Sequence, residues 1–226
     1  RRGGEKFGLG VLGAALQGNP GVIQMIQHHQ AFYADLADPV ALLRGELGNT
    51  ERGRYWSYTR TEAVEATESG DVQPYSQLMA ASQSMISEQV LAAYPVDRHR
   101  RLLDVGGGAG AFASAAMISC PRLRACVFDL PAVCELASER FKQQDLAQRG
   151  QVHPGNFLKD ALPTGHDLIS LIRVLHDHDD DAVVAILQSI RKTIRSDGVL
   201  LIAEPMLNTA GAQPVTAAYF NFYLMA

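Results

Sequence analysis

The amino-acid sequence predicts an α/β fold, a Rossmann-like parallel sheet preceded by a helical N-terminal region. Two observations carry that prediction. From residue 101 onward, short apolar runs alternate with helical patterns, and the first run ends in the glycine-rich turn Gly106-Gly107-Gly108-Ala109-Gly110. Before residue 95 the chain reads as helix and loop. Strand–helix alternation at this spacing implies parallel pairing through right-handed crossovers.

Each element follows from its own residues. Residues 1–70 carry turn signals at Asn19-Pro20-Gly21 and Asp38-Pro39. The opening GEKFGLGVLGAALQG fits the last hairpin of a small winged-helix unit. Residues 74–94 read as one long amphipathic helix, with Leu78, Met79, Met85, Ile86, Val90 and Leu91 at helical spacing. RLLDV (101–105) is a strand, and AFASAAMISC is the helix after the glycine turn, ended before Pro121. LRACVFD is the second strand, followed by a helix from Pro131 to about Gln148. QVHPG is a short third strand, and DLISLIRVL (167–175) a fourth, apolar enough for burial on both faces. DDAVVAILQSIRKTIR is a helix stopped by Asp197-Gly198, and GVLLIAE (198–204) is the fifth strand. These elements divide the chain into a helical region, 1–72, and a sheet domain, 73–226. RRGGEKFGLG opens abruptly and VTAAYFNFYLMA ends inside a periodic segment, so the chain is expected to be part of a longer protein, its sheet truncated at the C-terminal side.

Composition bounds the function. With 226 residues, 47% of them hydrophobic, the chain supports one full α/β domain and a smaller piece. A net charge of −4 argues against a phosphate-tracking surface, and so against nucleic acid as a partner. Cys120, Cys126 and Cys134 form an odd set without metal-type pairing, which reads as reduced thiols in a cytoplasmic protein. No apolar run approaches the ~20 residues that span a bilayer.

The candidate site lies along one rim. Ligand sites in open α/β sheets form beyond the carboxyl ends of the strands, and four polar positions fall there. The turn after the first strand lets backbone N–H groups approach a ligand closely. Gly106, Gly108 and Ala111 also satisfy G-x-G-x-x-A, so the loop by itself suits a methyl donor or a dinucleotide. Asp104 shifts the balance, because a carboxylate two residues before the first glycine suits an ammonium group and repels a pyrophosphate. Asp129 ends the second strand, where an acid can accept ribose hydroxyls; the plainer reading is a helix cap before Pro131. His176 follows the fourth strand within LHDHDDD and suits the removal of a hydroxyl proton. Asp179, Asp180 and Asp181 open a helix whose far end carries Arg191, Lys192 and Arg195, so helix-dipole complementarity is preferred to a metal site. His178 is read as solvated or locally bonded. Glu204 ends the fifth strand, where it can orient the imidazole of His176 or simply cap a turn before Pro205.

LLDVGGGAG, FDLPAV, HPGNF, RVLHDHDDD and LLIAEPM, in this order, resemble the plant-type S-adenosylmethionine-dependent O-methyltransferases from about residue 75 to the end. FGLGVLGAALQGNPGV, HHQAFYADLADPVALLRG, RYWSY and PYSQLMAASQ are similar to the carotenoid hydroxyl methyltransferases of purple bacteria, which act on hydroxyneurosporene and demethylspheroidene. The resemblance implies S-adenosyl-L-methionine as cofactor, held by Asp104, Gly106, Gly108, Gly110, Asp129 and Leu130. Asn156 and Phe157 would flank the adenine, and Arg173 stands beside Ile172, where the plant enzymes carry lysine. It implies His176 as general base with Glu204 as the first of two flanking acids, the second lying past Ala226. Asn156 departs from the family's usual aspartate, although an amide oxygen still accepts a hydrogen bond. Met79, Gln83 and Met85 are candidate lining for a hydrophobic acceptor. His28 and His29 are read as surface or interface positions, with an approach to the pocket as the alternative. The resemblance also implies a homodimer through the N-terminal region and, for a lipid-like acceptor, peripheral association with the inner membrane. The rival readings are a methyltransferase of another pigment or antibiotic pathway, a degenerate ligand-binding module and an NAD-dependent oxidoreductase.

Overall fold

The computed structural model describes residues 2–3, 6–18, 20–48, 50–51, 83–207, 209–211 and 219–225. Two short antiparallel strands open it, β1 (Arg2–Gly3) against β2 (Lys6–Phe7). Three helices follow: α1 (Val11–Gln17), α2 (Pro20–Asp35) and α3 (Pro39–Leu43). Proline opens α2 and α3 because its fixed φ and missing N–H cost nothing in a first turn. Asp38 caps α3 by accepting the Ala41 N–H at 3.0 Å. Residues 83–93 are helical (α4), which covers the latter half of the long helix expected over 74–94; Met79 and the rest of that stretch lie outside the described residues.

The sheet has five parallel strands in the order β5-β4-β3-β6-β7. They are β3 (Arg101–Val105), β4 (Arg124–Asp129), β5 (Gly150–Pro154), β6 (Leu168–Ile172) and β7 (Val199–Ala203). Helices α5 (Ala111–Ser119), α6 (Pro131–Gln143) and α7 (Asp180–Thr193) make the crossovers, and α8 (Asn221–Met225) is the last described helix. Alternate residues of a strand face opposite layers. Leu102 therefore joins Phe112, Met117 and Phe141 on the α5–α6 side, with Ile86, Val90 and Leu91 of α4 packed against them. Leu103 and Val105 join Phe128, Ile169, Leu171, Ile186 and Ile190 on the α7 side. Burying each such side chain contributes about 1.5–3 kcal/mol. β3 lies at the centre of this order with β6 beside it, in keeping with the burial expected for the fourth strand on both faces, and β7 forms one end of the described sheet.

Two boundaries differ from the sequence reading by three residues or more. The helix expected to run to about Gln148 stops at Gln143. Asp145 takes a left-handed φ of 56°, and the chain doubles back so that the Leu146 N–H reaches the Phe141 carbonyl and its side chain enters the core. The fourth strand ends at Ile172 rather than Leu175, because Arg173 has a φ of 59° and turns the chain into a single turn of 3-10 helix, Leu175–Asp177.

Candidate functional site

The register of the sheet assembles the rim. In β3, Asp104 pairs with Val127 and Ser170, and Val105 with Phe128, so the glycine loop emerges beside the ends of β4 and β6. Gly106, Gly108 and Gly110 have φ values of 66°, 57° and 72°, a region costly for side chains with a Cβ. A Cβ on Gly107 would lie 2.6 Å from Oδ2 of Asp104, which places that carboxyl directly beneath the loop.

Asp104 is 1% exposed. Ser170 Oγ donates to its Oδ1 at 2.6 Å, whereas Oδ2 has no protein partner among the described residues. Burial lifts its carboxyl from an ordinary 3.8 to about 7, against the Ser170 hydrogen bond. Asp129 accepts the Leu130 N–H at 2.7 Å on Oδ1 and the Gly108 N–H at 2.8 Å on Oδ2. It thus ties the glycine loop to the end of β4, and Leu130, not Asp129, occupies the helix cap. Burial raises its carboxyl to about 6 despite those two bonds. From α6, Arg140 Nε reaches the Ala109 carbonyl at 2.7 Å, while Ala137 and Phe141 press on Gly110.

Asn156 opens a turn after β5. Its Oδ1 accepts the Leu158 N–H at 2.9 Å, and its own N–H donates to Asp160 Oδ2 at 2.7 Å. Phe157 packs at the loop, with Cε1 3.5 Å from where a Gly106 Cβ would stand, and meets the His178 ring edge-on at 5.4 Å. Burial lowers the affinity of His178 for a proton below the ordinary imidazole value. Arg173 is half-buried at the end of β6, its N–H bonded to the Ala203 carbonyl at 2.9 Å.

His176 Nδ1 lies 2.5 Å from Glu204 Oε2. The other carboxylate oxygen, Oε1, accepts the Val174 and Leu175 N–H groups, each at 2.8 Å. Burial favours a neutral Glu204, but the bonds from His176, Leu175 and Val174 outweigh it and hold the carboxyl below its ordinary value. An ionised acceptor fixed in this way keeps the hydrogen of a neutral His176 on Nδ1 and leaves Nε2 as the basic nitrogen. Nε2 is 3.3 Å from Asp177 Oδ1, whose carboxyl burial pushes above its usual range. The Phe220 ring stands edge-on to the imidazole, 5.3 Å away.

The structure therefore brings together Asp104, the glycine loop, Asp129, Leu130 and Phe157 on one part of the rim, and His176 with Glu204 on another. Of the acceptor-lining candidates in α4, Gln83 is half-buried, its Oε1 without a hydrogen-bond partner among the described residues, and Met85 is 44% exposed. Ser170, Arg140, Asp177 and Phe220 were not picked out from the sequence. Ser170 had a readable signal, a single hydroxyl in an otherwise apolar strand; the other three depend on tertiary contacts. His28 and His29, read as surface or interface positions, are instead buried and half-buried against the C-terminal segment. Among the described residues no group of three His, Cys, Asp or Glu side chains is arranged to hold a metal, and no helix is long and apolar enough to cross a membrane.

Residues 33–226 match the family model described as an O-methyltransferase domain. The chain is 42% identical over all its 226 residues to the demethylspheroidene O-methyltransferase of Cereibacter sphaeroides, covering 59% of that protein. It is 37% identical over 214 residues, 95% of the chain, to the enzyme of the same name from Rhodobacter capsulatus, covering 52% of it. Among solved structures, human N-acetylserotonin methyltransferase in complex with SAM superposes with a TM-score of 0.72 at 25% identity, over 90% of this chain and 58% of that one. The chain thus spans between half and three-fifths of the length of the curated relatives named, and by both its sequence and its fold it belongs to the O-methyltransferase domain family.

Proposed function

We propose that the protein transfers a methyl group from S-adenosylmethionine to a hydroxyl of a hydrophobic small molecule, the tertiary hydroxyl of an acyclic carotenoid of the demethylspheroidene type. One observation carries the reading. His176 is locked by Glu204 with Nε2 as its basic nitrogen, on the same rim as a glycine loop that covers a buried carboxyl.

The residues present fit the cofactor. Among the described residues, Oδ2 of Asp104 is buried without a hydrogen bond of ordinary geometry, which suits an ammonium group and opposes a pyrophosphate, so the methyl donor is favoured over a dinucleotide. Asp104, Gly106, Gly108, Gly110, Asp129, Leu130, Asn156, Phe157 and Arg173 would hold it. When bound, it supplies an electrophilic methyl group. The chain's own part is to align the acceptor and take its proton. Nε2 of His176 accepts the hydroxyl proton as the oxygen attacks, and Glu204 stabilises the resulting imidazolium. Orientation contributes the larger share, roughly 7–11 kcal/mol for a well-aligned pair, against about 3–5 kcal/mol for general-base assistance.

Gln83 and Met85, with Met79, are assigned to the acceptor side. Residues 1–72 are assigned to a winged-helix-type dimerisation region and 73–226 to the catalytic domain. Phe7, Leu9, Val11 and Leu12 are 61–83% exposed, which supports association with a second copy through this end. The carotenoid reading rests on the 42% and 37% identities to two demethylspheroidene O-methyltransferases. The test is to incubate the full-length protein with labelled methyl donor and demethylspheroidene in detergent micelles, then analyse the extract by mass spectrometry. Transfer of the label to the hydroxyl is the expected result. Labelling only of other phenolic or pigment acceptors would replace the carotenoid, and binding of S-adenosylhomocysteine with no transfer to any hydroxyl would favour a non-catalytic ligand-binding module.

A further inference from the structure

The His28-His29 pair has no part in the chemistry described so far, yet it is the point at which α2 grips the far end of the chain. His28 Nε2 shares a hydrogen bond with the Tyr223 hydroxyl at 3.0 Å. His29 bonds the Met25 carbonyl through Nδ1 and the Tyr219 hydroxyl through Nε2. A carbonyl only accepts, so Nδ1 of His29 carries the hydrogen, Nε2 is the acceptor, and the Tyr219 hydroxyl donates. Phe32, one turn further along α2 and 2% exposed, packs edge-on to Tyr219 and Tyr223 with ring centroids 5.6 and 5.5 Å away. His28, His29 and Phe32 stand at helical positions that share one face, so a single face of α2 holds both tyrosines. Between the tyrosines lies Phe220, stacked on Tyr223 at 5.7 Å and edge-on to His176 at 5.3 Å. The contact path from His28 to Tyr223 to Phe220 to His176 is unbroken.

We infer that His28 and His29 are positioning residues of the acceptor site: by clasping Tyr223 and Tyr219 they set Phe220 against the imidazole of His176. Phe220 then limits the tilt of the ring on the side Glu204 does not control and gives the acceptor an aromatic wall at the reacting end. Rings of this kind offer flat, polarisable surface that suits a conjugated, apolar acceptor. The inference deepens the proposed reaction and rests on His176 being its base.

The test uses the full-length protein and four variants: His28→Leu with His29→Leu, which removes the clasp; His28→Gln with His29→Gln, which keeps a hydrogen-bonding group; Tyr219→Phe; and Phe220→Ala. Turnover is measured on demethylspheroidene in micelles, cofactor binding by calorimetry with S-adenosylhomocysteine, and the local fold by hydrogen exchange of the 215–226 peptide. The Leu pair is expected to lower kcat by about 10- to 100-fold, the scale of a small misplacement near reacting groups. Phe220→Ala should match it, and Tyr219→Phe should lose part of that factor. Cofactor affinity should change by less than about twofold, since a misplaced acceptor wall leaves the donor's contacts intact. The Gln pair should recover most of the activity, and hydrogen exchange of 215–226 should quicken in the Leu pair only. Unchanged turnover in the Leu pair, equal loss in the Gln and Leu pairs, or a parallel loss of cofactor affinity would overturn the inference. An active His176→Ala variant, by contrast, would overturn the reaction assigned above, and the exchange measurement still reports on the clasp in that event.

Discussion

The two halves of the rim are built in different ways. On the glycine-loop side, the two carboxyls are held from neighbouring strands and the turns at their ends, and Arg140 of α6 reaches in to Ala109. Asp104 is held by Ser170 on the adjacent strand, and Asp129 by Gly108 and Leu130. On the His176 side, Glu204 reaches the imidazole from the end of the neighbouring strand, but the aromatic ring beside it comes from far along the chain: Phe220 is flanked by tyrosines that α2 holds across separations of 190 and 195 positions. The first side is backbone geometry backed by buried carboxyls. The second is side chains brought together by the whole fold. A site divided this way can keep one ligand constant and change the other, because the distant parts vary without disturbing the loop.

The largest expected effect separates the two halves directly. His176→Ala should lower kcat by about 10²–10⁴-fold, the range for loss of a general base, with S-adenosylhomocysteine affinity nearly unchanged. A comparable drop in that affinity, measured by calorimetry, would mean that the halves are not separable.

Asp104 sharpens the glycine-loop half through pH. Its folded carboxyl is raised from 3.8 to about 7 by burial. A raised acid contributes stability that is complete below its unfolded value and lost as pH rises through its folded value. The ligand-free protein should therefore lose stability between about pH 4 and pH 7–8, and Asp104→Asn should remove that part of the slope in thermal melts. A ligand ammonium needs the ionised form, so S-adenosylhomocysteine affinity should rise by up to about tenfold per pH unit below 7 and level off above it. Flat affinity from pH 5.5 to 8 would show that Oδ2 does not face the ammonium.

Much of this was legible in the sequence, for a physical reason. Strand ends mark the rim, and RLLDV, LRACVFD, DLISLIRVL and GVLLIAE, read as parallel strands, set Asp104, Asp129, His176 and Glu204 at or just past those ends, where the structure also has them. Apolar runs that long admit few other readings. The turn at Arg173 was not legible, because a left-handed φ outside glycine leaves no compositional trace and is imposed by the surrounding fold. Leu146 hid the helix end for a related reason: its apolar side chain continues the helical pattern, yet it enters the core by doubling back. The reach of Arg140 to Ala109 and of Phe220 to His176 depends on which helices pack together, which local periodicity does not encode.

Gly107→Ala tests how stiff the loop is. The new methyl would sit 2.6 Å from Asp104 Oδ2 and 2.8 Å from its Cγ, and the carboxyl is anchored by Ser170. Overpacking of this kind costs about 1–3 kcal/mol of stability. The loss should appear in chemical denaturation together with weaker S-adenosylhomocysteine binding. Full retention of both would show that the carboxyl can step aside.

The smallest effect concerns Asn156, at the position where the resemblance leads one to expect aspartate. A charged acceptor should strengthen a bond to an adenine amine by about 1 kcal/mol, which is roughly fivefold in affinity. The local geometry works against the full gain. Oδ1 of Asn156 already accepts the Leu158 N–H, and the residue's own N–H donates to the Asp160 carboxylate at 2.7 Å. Asn156→Asp would set two carboxylates close together on an exposed turn, an opposition of about 0.5–1 kcal/mol that salt screens. The single substitution should therefore change S-adenosylhomocysteine affinity by less than about threefold at low salt, with a gain that grows as salt is added. Pairing it with Asp160→Asn should release about fivefold, provided the asparagine still accepts the N–H of residue 156. The double-mutant cycle isolates the repulsion, because the two single variants alter the same turn from either side. A marked loss of affinity in both the single and the double variant would show that residue 156 serves the turn alone, and would leave Phe157 as the only adenine contact assigned to this loop.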